Sequence, residues 1–479
     1  MKDVIFFACL VVLVPVGTLA ASISPRIREL VFFALVFSTA TMGKLDINFL
    51  SREMYRGSSR GIEFSYLDFL ALILLLSCLI SPPPRKQRIR WPASLGFLLA
   101  YVAYCGLNML MLEPRIFSIF EFTKILRGVV VFIAVANYIA KPRDILVLVM
   151  ALCAIAVYST SVALYERYVW GMHRIPGPLD HYNEFSEYCC IIAPVLAAAA
   201  ASDRHVLIRW LCGGCAAALG VCVILTISRT GVAVYPIVMF CAIAVCSGLT
   251  LTPKKIAIGI LIMAAAGGAV YRGWDSLMSR YAGTSLEEEY LEEDMQGRGM
   301  YLHIAAAIVR DHFFGVGLNN WSYVVTEEYY PRLGHAAVSY GGTDINVKDL
   351  SENEYSHMIA PPAHNLGALT IGELGVPGFI IFYLLWGRWF QMGASFFRGR
   401  SQRLLSRFGI GVFFGASASF LQCLTEYGFR NSHIFFLMHI LMGVLAAAYV
   451  MQDTDATLSG LIRARIVSLR EQRERQGQR

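Results

Sequence analysis

A histidine stands where a long polar stretch gives way to an apolar one, in Ala363-His364-Asn365-Leu366-Gly367, shortly before Glu373-Leu374-Gly375-Val376-Pro377-Gly378. Imidazole titrates near neutrality, so at a membrane boundary it can move a proton during chemistry on a lipid-linked substrate. The structural alternative is a histidine satisfied at a helix start. Arg229 lies in Ser228-Arg229-Thr230-Gly231, a short turn between apolar runs. A guanidinium there can hold a phosphate with two prongs, or simply reach for lipid headgroups. Arg298, between Gly297 and Gly299, invites the phosphate reading more weakly. Glu121, Lys124 and Arg127 recur every three residues and so share one helix face. Ionisable groups inside a membrane are costly unless they line a cavity or pair, and Glu121 with Lys124 is the obvious pair, which leaves Arg127 the more available cation. The stretch from Arg174 to Glu184, with Pro176-Gly177-Pro178 inside it, suits either the wall of an acceptor site or a pair of helix caps.

The elements that must carry these residues are membrane helices. The chain has 479 residues, 56% hydrophobic and 16% charged, with a mean hydropathy of +0.55; a water-soluble fold of that length needs more polar surface. Apolar runs at 4–23, 29–43, 66–81, 91–112, 116–140, 144–165, 188–201, 206–227, 231–251, 256–270, 366–390, 405–424 and 434–450 predict an all-α polytopic membrane protein with about 12–14 transmembrane helices. The expected organisation is transmembrane helices over 1–272, one large extracytoplasmic loop over 273–363, transmembrane helices over 364–451 and a basic cytoplasmic tail over 452–479.

Charge gives the orientation. The net charge is +7, yet in 273–363 acidic residues outnumber basic ones by 14 to 5, which leaves +16 on the rest of the chain. Lys and Arg collect in short loops such as Arg85 to Arg90 and Lys141 to Arg143 and in the C-terminal tail, all on one side, which marks that side as cytoplasmic and does not point to nucleic acid. The stretch 44–61 breaks this pattern, carrying Lys44, Arg52, Arg56 and Arg60 on the opposite side, so the side of the N-terminus stays open. Inside the large loop, Leu302, Ala305, Ala306 and Val309 predict a helix over 299–312 that stops at Phe313-Phe314-Gly315-Val316-Gly317. All twelve cysteines fall in apolar runs, and Cys212-Gly-Gly-Cys215 reads as helix packing in place of a redox or metal site. The histidines show no metal-ligand spacing, and no nucleotide-binding or hydrolase motif is present, so no metal and no cofactor is expected.

In order and spacing, three stretches resemble the O-antigen ligase and polymerase superfamily of bacterial envelope enzymes. They are Ser228-Arg229-Thr230-Gly231; Gly297-Arg298 followed by Ala305 to Val309 and Phe314-Gly315-Val316-Gly317-Leu318-Asn319-Asn320; and His364-Asn365-Leu366 with Gly372 to Gly375 and Gly378. The turn ending Asn183-Glu184 is also similar to a family segment. The resemblance implies a multi-pass membrane glycosyltransferase of the GT-C-like type in the bacterial inner membrane, its large loop in the periplasm. It implies a donor glycan on undecaprenyl diphosphate and a glycan, lipid or protein acceptor, with metal-independent, inverting transfer. His364 would be the catalytic base, and Arg229 and Arg298 would hold the diphosphate, with Lys124 and Arg127 as further donor contacts suggested by their place in the membrane. The sugar, the acceptor and the oligomeric state are not readable. A transporter or flippase of a lipid-linked sugar is the alternative; the absence of symmetric broken-helix halves in the sequence weighs against it.

Overall fold

The computed structural model describes residues 2–44, 46–52, 55–83, 91–141, 143–202, 206–247, 299–333, 359–398 and 404–451. After an N-terminal helical stretch that includes a π turn at Cys9–Leu13, the helices are α1 (Val14–Ile23), α2 (Pro25–Ser38), α3 (Tyr66–Ile80), α4 (Leu95–Met111), α5 (Arg115–Tyr138), α6 (Asp144–Tyr168) and α7 (Tyr182–Ser202). They continue with α8 (Val206–Thr226), α9 (Arg229–Ser247), α10 (Gly299–Asp311), α11 (Leu366–Ser395), α12 (Leu404–Gln422) and α13 (Ser432–Val450). A two-stranded antiparallel ribbon, Ile47–Asn48 on Glu63–Phe64, folds back the connection between α2 and α3. Among the described residues seven helices are long and apolar enough to cross a bilayer, with Tyr66–Ile80 and Leu95–Met111 as shorter apolar helices. The chain is an all-α, multi-pass membrane protein.

Every expected span inside the described residues falls on a helix; the span at 256–270, the acidic run at 287–294 and the basic tail lie outside them. One boundary moves for a reason that matters. The run expected to begin at 188 starts at Tyr182, because Asn183, Glu184 and Glu187 extend the helix although they interrupt the apolar pattern. Glu187 is 1% exposed and accepts from Ser419 Oγ at 2.6 Å, so its carboxylate faces a polar partner on α12. Helix α7 packs against α8, α9 and α12 at the centre of this part of the molecule.

The large loop is locked onto α11 by backbone. Val316 N–H donates to Gly372 O at 3.0 Å, Gly317 N–H to Glu373 O at 2.9 Å and Val376 N–H to Phe313 O at 3.1 Å. This ladder forms where α11 kinks at Gly375, whose φ is +65°. Gly315 has φ +81°, and a Cβ there would run into the Glu373 carbonyl, as one on Gly375 would into that of Phe313. Two chains approach closely enough to pair in mid-helix only because both positions lack side chains. The docked turn ends α10 and fixes that helix over the start of α11.

The connection with the discordant arginines lies on the same face as the large loop. Arg56 Nη1 donates to Ile359 O at 2.8 Å, Ser59 Oγ to Glu121 Oε2 at 2.5 Å, and Asn319 Nδ2 to Ser59 O at 2.8 Å. Phe6 packs against Phe49 with ring centroids 4.9 Å apart, so the first helix begins at that face too.

Candidate functional site

Asn365 caps α11, accepting from Ala368 N–H at 2.8 Å, and its own amide donates to Leu424 O at 2.7 Å. His364 is thereby held one residue before a helix start and against the connection between α12 and α13. Its Nδ1 lies 2.7 Å from Glu426 Oε2, and the other oxygen of that carboxylate accepts from Asn183 Nδ2 at 2.7 Å. Tyr301 of α10 and Tyr427 flank the imidazole at centroid distances of 5.8 and 5.4 Å. The His364 side chain keeps 30% of its surface exposed, against 10% for Glu426. A half-open imidazole with one nitrogen engaged by a carboxylate is the arrangement that orients a proton acceptor.

Arg229 reaches the same connection by another route. It is the first residue of α9, half-buried, and Thr230 beside it hydrogen-bonds Thr425 Oγ1 at 2.8 Å. At Gly231 a Cβ would collide with Ser186, which places the first turn of α9 tightly against α7. Residues 425–427 thus join the helix start bearing Arg229 to the one bearing His364. Two further groups face this junction. Burial lowers the pKa of His181, with His364 and Arg174 acting the same way against Glu426. Burial and the carboxylates of Glu184 and Glu426 raise that of Tyr427, opposed by Arg60 and Arg56. Arg298 lies outside the described residues; α10 begins immediately after it.

Lys124 and Arg127 are both engaged by carboxylates of the protein. Lys124 is 3% exposed, lies 2.7 Å from Glu121 Oε2 and donates to Arg430 O at 2.6 Å. Arg430, 2% exposed, binds Glu121 at 3.0 Å and Glu373 at 2.8 Å. Arg127 makes a two-pronged pair with Asp68 at 2.7 and 2.8 Å. Lys124 thus neutralises a carboxylate on its own helix and Arg127 one on α3.

Residues 214–383 match the family profile described as O-antigen ligase. This segment is similar to the O-antigen ligase family, which supports the resemblance read from the sequence. The matched segment contains Arg229, Arg298, the Gly315–Gly317 turn and His364, and the match supports glycan ligation or polymerisation in general. No curated protein matches the chain. Glu426, the partner of His364, lies beyond that segment, as do Asn183 and Tyr427. Sequence reasoning passed over Glu426 because nothing local relates it to a residue 62 positions away. The available signal was the crowding of charge in Glu426 to Arg430, between two apolar runs.

Proposed function

We propose that the protein transfers a glycan from an undecaprenyl-diphosphate-linked donor to an acceptor hydroxyl at the periplasmic face of the inner membrane, with His364 as general base. The contact of 2.7 Å between His364 Nδ1 and Glu426 carries this reading. With Nδ1–H donated to the carboxylate, Nε2 is the nitrogen that accepts a proton. The acceptor hydroxyl gives its proton to Nε2 as its oxygen bonds to the anomeric carbon. The bond from that carbon to the diphosphate oxygen breaks on the opposite face, and the electron pair leaves with the diphosphate. Attack opposite the leaving group inverts the anomeric centre, and the step balances without a metal. Glu426 offsets the charge the imidazole gains. Arg229 steadies the charge the diphosphate gains, where fixed donors in a water-poor site act most strongly. Arg298 joins it on the strength of the family motif.

The test is His364→Ala in a strain lacking the chromosomal copy. Transfer is expected to fall by about a hundred- to ten-thousandfold, while the protein remains inserted at normal levels; undiminished long-chain product on a glycan gel refutes the base assignment. Glu426→Gln, which keeps the shape and removes the charge, is expected to cost roughly ten- to a hundredfold, the range seen when an oriented imidazole loses its outer partner. Single-repeat products in the null strain mark a polymerase, and loss of all long chains from the lipid acceptor marks a ligase.

A further inference from the structure

A second concave surface lies beside the junction, between the α2–α3 connection and the start of α13. It is a cleft of about 260 Å³ whose walls include Gly43, Asp46, Arg60 and Glu63 on one side and Asn431 and His433 on the other. Its chemistry is selective. The Nδ1 of His433 lies 2.7 Å from Thr39 O and therefore carries the hydrogen, which leaves Nε2 as an acceptor. That Nε2 is 3.5 Å from the point where a Cβ on Gly43 would stand, so it borders the cleft. Asp46 Oδ1 is buried with no hydrogen-bond partner among the described residues, a condition that native interiors seldom leave unmet. Burial, reinforced by Glu63, pushes the Asp46 carboxyl up to about 7, so near neutrality it can donate as well as accept.

Two carboxyl groups disfavour an anion, and the guanidinium of Arg60 disfavours a compact cation. What satisfies donors and acceptors set this densely is a neutral ring bearing several hydroxyls. The cleft is one layer from His364: Asn431 donates to Glu184, and Asn183, next in the chain, holds Glu426 against the imidazole. The geometry assigns this cleft as a subsite for one neutral sugar residue of the glycan, next to the reacting sugar, an inference that rests on the transfer reaction above.

The test is binding, which does not require turnover. Saturation-transfer NMR on the full chain in detergent uses a panel of methyl glycosides that spans neutral, N-acetylated, deoxy and acidic hexoses. At least one neutral glycoside is expected to saturate. Gly43→Leu fills the cleft without backbone strain, and Asp46→Ala removes the unsatisfied carboxyl; each is expected to weaken that binding about tenfold or more, the loss of one well-made buried hydrogen bond or of the space for the ring. His364→Ala is expected to keep it. Absence of any neutral glycoside signal, or a signal equal in wild type and Gly43→Leu, overturns the subsite. So does inorganic pyrophosphate binding that Gly43→Leu abolishes, which would make the cleft an anion site. Glycoside binding lost in Gly43→Leu, alongside full transfer by His364→Ala, leaves the subsite standing and sinks the base assignment.

Discussion

Two clusters of ionisable side chains flank residues 425–430, and they are completed to different degrees. Around Arg430 every charge has its counter-charge: Glu121, Lys124, Glu373 and the guanidinium are between 0% and 3% exposed and meet at 2.6 to 3.0 Å. Around His364 the acid and amide are satisfied, but the imidazole uses one nitrogen for Glu426 and stays 30% exposed. Charge inside a membrane protein must be neutralised or solvated. A closed set therefore holds helices together, whereas a set with one open valence can exchange a proton with something that arrives. The identity of the residues does not separate these cases, since both clusters are built from Glu with a cation or imidazole; closure does.

The largest effect is expected from Arg430→Met. It strands two buried carboxylates with one lysine, and loss of one partner from a buried ion cluster costs about 3–5 kcal/mol. The variant is expected to unfold at much lower temperature in detergent and to accumulate poorly, whereas His364→Ala is expected to melt like the wild type. Equal melting of Arg430→Met and wild type would show that the cluster is not structural.

A smaller effect is expected from Arg127→Lys. Replacing a two-pronged donor with a point charge beside Asp68 should cost about 1.5–3 kcal/mol, the worth of a hydrogen bond to a charged group, without raising the KM for lipid-linked donor. A raised KM with unchanged melting would return Arg127 to the substrate site.

Much of the fold was legible because a membrane helix announces itself locally: length and hydropathy are enough for α6, α8 and α13. The position of His364 at a helix start was legible too, since Asn365 is a cap and apolar residues follow it. What local pattern does not carry is pairing across distance. Asp68 and Arg127 are 59 residues apart and Arg430 and Glu373 are 57 apart, so Arg127 looked available when its partner was simply elsewhere, whereas the Glu121–Lys124 pair, three residues apart, was legible. The connection over 44–61 misled for a related reason. Lys and Arg there run against the charge rule on the side expected for it, yet Arg56 is tied to Ile359 O and Arg60 lines the cleft beside α13. Their charge is used within the protein, where a statistical rule about translocation has nothing to say.

The finest test concerns Asp46, which belongs to neither the Arg430 nor the His364 cluster. Its carboxyl faces Glu63, Asp68 and Arg127, and burial followed by Glu63 raises its pKa from 3.8 to about 7. Between those two values the folded protein holds a proton that the unfolded chain has released, so stability falls as pH rises through that window and levels off above it. Asp46→Asn removes the titration, and the variant is expected to gain on the wild type steadily from pH 4 to 7, with no further gain beyond. Thermal unfolding in detergent at several pH values measures this directly. A difference between the two proteins that does not change with pH would mean that water already reaches the Asp46 carboxyl. The cleft would then lack the unsatisfied group that makes a sugar hydroxyl its natural partner.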